Sequence, residues 1–461
     1  MIAGVKLLEK KNVKIVGYKT LDLLLGLTIF LIPFYFIRFK ILGIPTNIFE
    51  LGVLLLLIAT LMQATITKKQ YPVNNQTQKD QNHKTFNHYS LFIILFFLSF
   101  LMGSSKAGYS LDSLGIVKSY FVVPVVLGLA ISYQLSAFRG HINPKPITQN
   151  LKPIFFGFYL SLLIVSLWAI LQKFGILTTL FYQVGDISFN QYLGDNFRAF
   201  GPFESPNYLA MYIVPILFLT IGIMQNAKCK MQKIWKVMFN LTLILPLIAL
   251  IFTKSRAGII ALAVSLSLLL IFWIYQNLKS KAGKVIIISG SLILYSVFLI
   301  LVTKYGLRPE TDSARFEIYS YSWQMIVENP IFGIGLGGFQ NYLSAIPISV
   351  SFREIILPYA YHPHNLYMSL WLNVGLLGLI SFIGIVVCVI GQYFVNNPGK
   401  KRLNNAGIFM ILALVSILIH GILDTTYFKN DLSAIFWVTI ALILTQTDLK
   451  LAGRASSLSD K

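Results

Sequence analysis

The chain has 461 residues, of which 56% are hydrophobic and only 12% charged, with a mean hydropathy of +0.70 and a formal net charge of +21. A water-soluble domain with so little charge could not cover its surface, whereas lipid accepts apolar side chains freely. The positive charge does not point to nucleic acid, because the lysines and arginines mark alternate loops and form no continuous patch.

In chain order, the N-terminus carries five lysines and no small-residue cleavage site, so it reads as a retained cytosolic tail. Apolar stretches long enough to cross about 30 Å of hydrocarbon then recur along the chain. They cover residues 20–37, 47–66, 90–104, 112–133, 153–173, 207–225, 236–252, 257–276, 285–302, 364–394, 406–424 and 431–448. This pattern predicts an all-α polytopic membrane protein, a single integral membrane domain over residues 1–461 with no separate globular part. The stretch at 90–104 is short for a span, and that at 364–394 is long enough to tilt or to begin outside the bilayer.

Most of the lysines and arginines fall in both tails and in the breaks at 67–89, 134–152, 226–235, 277–284 and 395–405. That bias puts both termini in the cytosol. Lys68 to Tyr89, rich in Asn, Gln and Lys, reads as disordered. Cys229 in a lysine-rich loop and Cys388 in an apolar run suggest neither a disulfide nor a metal cluster. The opposite, outer face has two long segments, 174–206 and 303–363, and a tight turn at 253–256. The unusual residues gather there.

In the first outer segment, Gly201 and Pro202 break the chain, and Ser205 can cap a helix with Pro206 in its first turn. Neither Arg198 nor Asn207 is needed for such a corner, although an arginine at a membrane edge can also reach lipid headgroups. In the turn Thr253-Lys254-Ser255-Arg256, two cations sit between apolar spans with almost no loop to hold them in water. Charges at that depth are costly unless they face a cavity or an anion, which favours a functional role for Arg256.

In the second outer segment, Asp312 or Ser313 can cap a helix ending near Asn329-Pro330. Phe316, Tyr319, Trp323, Ile326 and Val327 recur at helical spacing, and this apolar face suits a helix lying along the outer leaflet. Arg315 then falls in the first turn, against the helix dipole, as if held there for an anion. The run Gly333 to Gly338 reads as a hinge or tight turn at the membrane edge, where backbone amides could also touch a phosphate.

Tyr361-His362-Pro363-His364-Asn365 opens the next span. Pro363 suits the first helical position, so His364 is expected within the first turn, where the positive helix end favours a neutral imidazole. Further on, His420 and Asp424 are one helical turn apart and share a face. A carboxylate at the membrane is a functional candidate, but mutual satisfaction of the pair is an equally open reading.

These segments together resemble the O-antigen ligase and polymerase superfamily of bacterial envelopes. The matching elements are Arg198-x-x-Gly201 with Pro206-Asn207, Ser255-Arg256-Ala257-Gly258, Arg315 with Trp323 and Asn329-Pro330-x-x-Gly333-x-Gly335, and His364-Asn365 with Gly375 and Gly378. The resemblance spans roughly residues 190–430. It implies a multi-spanning (GT-C-like) glycosyltransferase of the bacterial inner membrane, metal-independent and without a cofactor. Such an enzyme takes a glycan from undecaprenyl diphosphate at the outer face and passes it to a hydroxyl of another glycan, of lipid A-core or of a protein. On this resemblance Arg256 and Arg315 grip the diphosphate, Arg198 supports them, and His364 deprotonates the acceptor. Asn207, Asn365, His362, Asp424 and Glu204 are supporting candidates.

Elementary chemistry agrees with that assignment. Leaving diphosphate needs charge stabilisation, which arginine forks supply, and the attacking hydroxyl needs a base. The outer loops carry no close carboxylate pair of metal-binding type, so metal-free chemistry is expected, with a single displacement and inversion unless Glu204 acts as a nucleophile. The rival reading is a glycan or lipid flippase, which predicts ionisable groups near the bilayer midplane, broken helices and related halves.

Overall fold

The computed structural model describes residues 19–70, 88–137, 151–177, 183–184, 187–188, 197–226, 240, 243–280, 282–291, 309–348, 352–357, 360–397 and 406–459. Helix α1 covers residues 19–30 and ends in a 3-10 turn at Ile32–Phe34. Strands β1 (Arg38–Ile41) and β2 (Ile44–Asn47) form an antiparallel hairpin, followed by α2 (Ile48–Gln70) and α3 (His88–Lys106). Helix α4 (Leu111–Val117) runs through a π turn at Lys118–Val122 into α5 (Val123–Ala137), and α6 is Lys152–Lys173. A second small hairpin pairs β3 (Gln183–Val184) with β4 (Ile187–Ser188). Then come α7 (Pro206–Asn226), α8 (Ile244–Thr253), α9 (Arg256–Asn277), α10 (Ala282–Ser291), α11 (Pro309–Glu328) and α12 (Phe339–Ala345). The last three are α13 (Leu366–Asn396), α14 (Ala406–Leu423) and α15 (Asn430–Ser459).

Among the described residues, eight helical stretches are long and apolar enough to cross a membrane, so the chain is an all-α polytopic membrane protein. The other four expected spans meet shorter described helices: α1, α8, α10 and the apolar part of α15 at Asn430–Gln446. The expected short span at 90–104 is a full Tyr89–Lys106. The N-terminal tail to residue 18 and most of the breaks at 67–89, 134–152, 226–235 and 395–405 lie outside the described residues, as do parts of the expected spans at 236–252 and 285–302.

Helices α7 and α14 are the axis of the bundle. Within their apolar windows 78% and 72% of residues are buried, against 28% for α2, α3 and α9. They pack on one another, α13 packs on α3, and α15 packs on α5. Outward-facing side chains such as Leu54, Leu61, Leu270 and Val387 are exposed, as expected where lipid replaces water.

Helix α11 begins at Pro309, a residue pre-organised for the first helical position, so Asp312 and Ser313 lie inside it. Arg315 therefore falls in the second turn, and the argument from the helix dipole does not apply. The expected apolar face divides in two. Phe316, Trp323 and Val327 are exposed, whereas Ile326 joins Ile318 and Met325 in a small core with Phe339, Leu343 and Leu372. That core clamps the long segment onto α13.

The glycine run meets α13 at a break. Gly375 has φ 73° and ψ −179°, which no helix interior accommodates. The orphaned Leu372 carbonyl accepts the amides of Ile334 (2.8 Å) and Gly335 (3.2 Å), and Leu376 N–H donates to the Ile331 carbonyl at 2.9 Å. Gly337 N–H donates to Asn373 Oδ1 at 3.0 Å, and Leu336 N–H to the Gly103 carbonyl on α3 at 3.1 Å. The run is thus a tight turn whose amides complete a broken helix, and these four amides are committed to protein acceptors. Gly333 has φ 66°, and a methyl group there would lie 2.3 Å from the Leu372 carbonyl oxygen. Gly333→Ala is expected to cost roughly 2–4 kcal/mol, read as a lowered thermal midpoint in detergent; an unchanged midpoint would refute the packing argument.

Candidate functional site

Asp424 stands directly after α14, its N–H closing the last turn onto the His420 carbonyl at 3.0 Å. It is 2% exposed, yet five neighbouring residues approach its carboxylate. Oδ1 accepts the Thr425 N–H at 2.8 Å and faces His364 Nδ1 at 3.1 Å and His362 Nε2 at 3.3 Å. Oδ2 accepts Asn207 Nδ2 at 2.9 Å and lies 3.8 Å from the Arg315 guanidinium. Buried carboxylates persist only when their lone pairs are satisfied, and this one is. Burial alone would raise the Asp424 carboxyl, but the neighbouring His364 and the hydrogen bonds of His362 and His364 hold it well below the usual carboxylate range. Its partner His362 is pushed down, by burial first and then by the neighbouring His364.

His364 precedes its helix. Asn365, not Pro363, sets the start: its side chain accepts the amides of Tyr367 (2.9 Å) and Met368 (3.0 Å), and α13 begins at Leu366. His364 therefore has φ 51° in the turn before the cap, a correction to the expected first-turn position. Asn365 Nδ2 also donates to the Ile422 carbonyl at 2.8 Å, tying this turn to the end of α14 beside Asp424. From the other side, Tyr319 donates its hydroxyl to the His364 carbonyl at 3.0 Å. Tyr319 lies one turn from Arg315 on α11, so one helix face both pins the histidine backbone and delivers the cation.

Arg198 joins through Asn207. Its Nη2 donates to Asn207 Oδ1 at 3.1 Å, and Asn207 passes the link on to Asp424. Arg198 Nε donates to the Thr253 carbonyl at 2.8 Å, and Ala199 N–H to the Phe252 carbonyl at 2.9 Å. The loop bearing Arg198 is thus zipped to the turn that ends α8. Ser255 caps α9 through the Gly258 amide, which makes Arg256 its first residue.

Glu204 belongs to a different group. Its carboxylate is ion-paired with Lys429 and accepts the Tyr35 hydroxyl at 2.8 Å. Burial would raise its carboxyl, but the charge of Lys429 and these hydrogen bonds hold it low. The ammonium of Lys429 sits 3.7 Å from the centroid of the Tyr208 ring, and that ring lies 6.4 Å from His362. His420 does not share its side chain with Asp424: its buried Nε2 has no hydrogen-bond partner among the described residues.

Sequence reasoning missed Tyr319, Lys429 and the central place of Asp424. Tyr319 had a readable signal, the four-residue spacing from Arg315. The other two depend on contacts between segments far apart in the chain. His362 Nε2, His364 Nδ1 and Asp424 Oδ1 lie within 4.8 Å of one another, a grouping that could hold a metal ion and that the outer-loop carboxylates did not reveal.

Residues 241–383 match the family model described as O-Antigen ligase. A protein of Haemophilus influenzae, described as an uncharacterized protein, is 24% identical over 385 residues, covering 74% of this chain and 92% of that protein. The matched segment carries Arg256, Arg315, His362, His364 and Asn365, whereas Arg198, Asn207, Glu204 and Asp424 lie outside it. The match over residues 241–383 supports the likeness to the O-antigen ligase and polymerase superfamily that the motifs carry.

Proposed function

We propose that this protein transfers a glycan from undecaprenyl diphosphate to an acceptor hydroxyl at the outer face of the bacterial inner membrane, with both termini cytosolic. The supporting observation is one buried carboxylate, Asp424, that gathers two histidines and one arginine directly and a second arginine through Asn207, at one end of a membrane bundle. With Asp424 ionised, His364 donates its Nδ1–H to Oδ1 and keeps the Nε2 lone pair for the acceptor. The acceptor oxygen attacks the anomeric carbon, its proton passes to Nε2, and the carbon–oxygen bond to the diphosphate breaks with the electron pair leaving on phosphate oxygen. Arg256 and Arg315, supported by Arg198, stabilise that charge. Glu204 is engaged by Lys429 and Tyr35, which favours single displacement with inversion over a covalent intermediate.

The flippase reading draws on one feature, the broken α13. Its freed backbone groups are satisfied by a protein turn and not directed at a cavity, which weakens that reading. The deciding experiment reconstitutes the full chain in proteoliposomes with a lipid-linked glycan donor and an acceptor glycan. A new glycosidic bond with equimolar release of undecaprenyl diphosphate is expected. Movement of the donor across the bilayer without bond formation, unchanged in His364→Ala, would overturn the proposal.

The chemistry proposed needs no metal, yet a divalent cation seated on His362, His364 and Asp424 would take the Nδ1 and Oδ1 atoms that orient the base. Zinc at micromolar concentration is therefore expected to inhibit transfer reversibly, and prolonged chelation to leave it intact. Loss of activity on chelation, restored by a divalent cation, would contradict the metal-free mechanism.

A further inference from the structure

A cleft of about 820 Å³ opens at the hairpin end of the bundle, and none of the residues gathered at Asp424 lines it. Its floor is Glu50, buried at the start of α2. Oε2 accepts Lys118 Nζ at 2.8 Å and Thr46 Oγ1 at 2.9 Å, while Oε1 accepts Ser119 Oγ at 2.7 Å and Asn430 Nδ2 at 3.1 Å. Arg38 and Lys40 of β1 stand exposed along the cleft. The lining contributed by α4 is mostly apolar and includes Leu114 and Ile116.

Three features of this cleft select a ligand. Hydrogen-bonding groups and apolar side chains line it together, which suits a sugar ring with hydroxyls at its edge and C–H groups on its face. Glu50 is already matched by Lys118, so Arg38 and Lys40 exceed the remaining carboxylate, Asp112, and the surplus charge is positive. The volume lies in the range of pockets that enclose ligands well beyond a single ring.

The cleft also adjoins the reacting centre. Asn430 is both a cleft residue and the first residue of α15, and it lies six positions after Asp424 in the chain, a reach of at most about 20 Å. Between them, Lys429 touches Tyr208, whose ring neighbours His362.

We propose that this cleft binds an anion-bearing glycan segment of a substrate whose reacting sugar extends to His364. The link to His364 rests on the transferase reading; binding of the glycan itself does not.

The test uses the full chain in nanodiscs with three soluble probes: tetragalacturonate, neutral maltotetraose and inorganic phosphate. The variants are Gly115→Phe and Arg38→Ala/Lys40→Ala. Gly115 lines the cleft and an ideal Cβ there meets nothing within 4 Å, so a side chain at this position has room at its base. Tetragalacturonate is expected to bind, both variants to weaken it at least about tenfold, maltotetraose to bind at least about tenfold less tightly, and phosphate not to compete. His364→Ala should bind as the parent chain does. Parental affinity in Gly115→Phe, equal affinity for maltotetraose, or displacement by phosphate or by phosphatidylglycerol nanodiscs would each overturn the proposal.

The two readings fail separately. Binding lost in Gly115→Phe, with no transfer under any condition, keeps the cleft and removes the transferase. Transfer that requires His364, with the Michaelis constant for the glycan unchanged in Gly115→Phe, keeps the transferase and removes the cleft.

Discussion

Replacing His364 with alanine is expected to lower the turnover number for glycan transfer by about 10²–10⁴-fold, the usual contribution of a positioned general base. The donor's Michaelis constant should stay close to that of the parent chain, because the arginines assigned to the diphosphate are untouched. The substitution is mild for the fold. The side chain is 23% exposed, and both Tyr319 and the Asn365 cap engage backbone or neighbouring groups that alanine leaves in place. His362→Ala is the matched comparison, since the two rings lie 4.3 Å apart and share Asp424. Its turnover should fall by less than about tenfold. If the two variants lose activity equally, or if His362→Ala loses more, the assignment of His364 as the base fails. Steady-state assays with a synthetic lipid-linked donor would decide between these outcomes.

Asp424 carries the second large effect, and two substitutions separate its roles. Asp424→Asn keeps the shape but removes the charge, and its amide meets donors on both sides. Placed at Oδ2, the NH₂ group faces Asn207 Nδ2; placed at Oδ1, it faces the Thr425 amide and both imidazoles. Either arrangement disturbs the tautomer and orientation of His364. Comparable carboxylate-to-amide changes behind a catalytic histidine lower turnover by up to about 10⁴-fold with the geometry preserved. Asp424→Ala goes further, leaving buried donors unpaired, and should cost about 3–5 kcal/mol of stability. Thermal unfolding in detergent, followed by tryptophan fluorescence, should give a smaller drop for Asp424→Asn than for Asp424→Ala. Turnover in Asp424→Asn within about twofold of the parent chain would reduce Asp424 to a structural residue.

The spans were legible because crossing hydrocarbon demands length and apolarity, and both are local properties of the sequence. Arg198, Arg315 and His364, which the structure gathers around Asp424, could be singled out because cations and bases at a membrane edge are costly without a purpose. What the sequence hid was geometry between distant segments. Asp424 meets His364 across 60 residues and Asn207 across 217, and no spacing rule relates positions so far apart. The pairing of Glu204 with Lys429, 225 residues on, was hidden for the same reason. Two local misreadings came from weighing competing signals. Asp312 and Ser313 looked like caps, yet Pro309 upstream was the stronger start; Pro363 looked like a first helical residue, yet Asn365 holds the cap. The glycine run was correctly a turn, but its purpose depended on the break at Gly375, invisible until the two were seen together.

That break also bears on how the chain is made. Residues 366–374 form too short a helix to stand alone in water, and the backbone interruption at Gly375 cuts them off from the long remainder. The groups that bridge the interruption, at Ile331, Ile334 and Gly335, and Gly103 that packs behind it, all precede α13 in the chain. A nascent polypeptide is synthesised from its N-terminus, so the splint exists before the fracture it mends. When the segment bearing His364 leaves the ribosome, its support has already been synthesised.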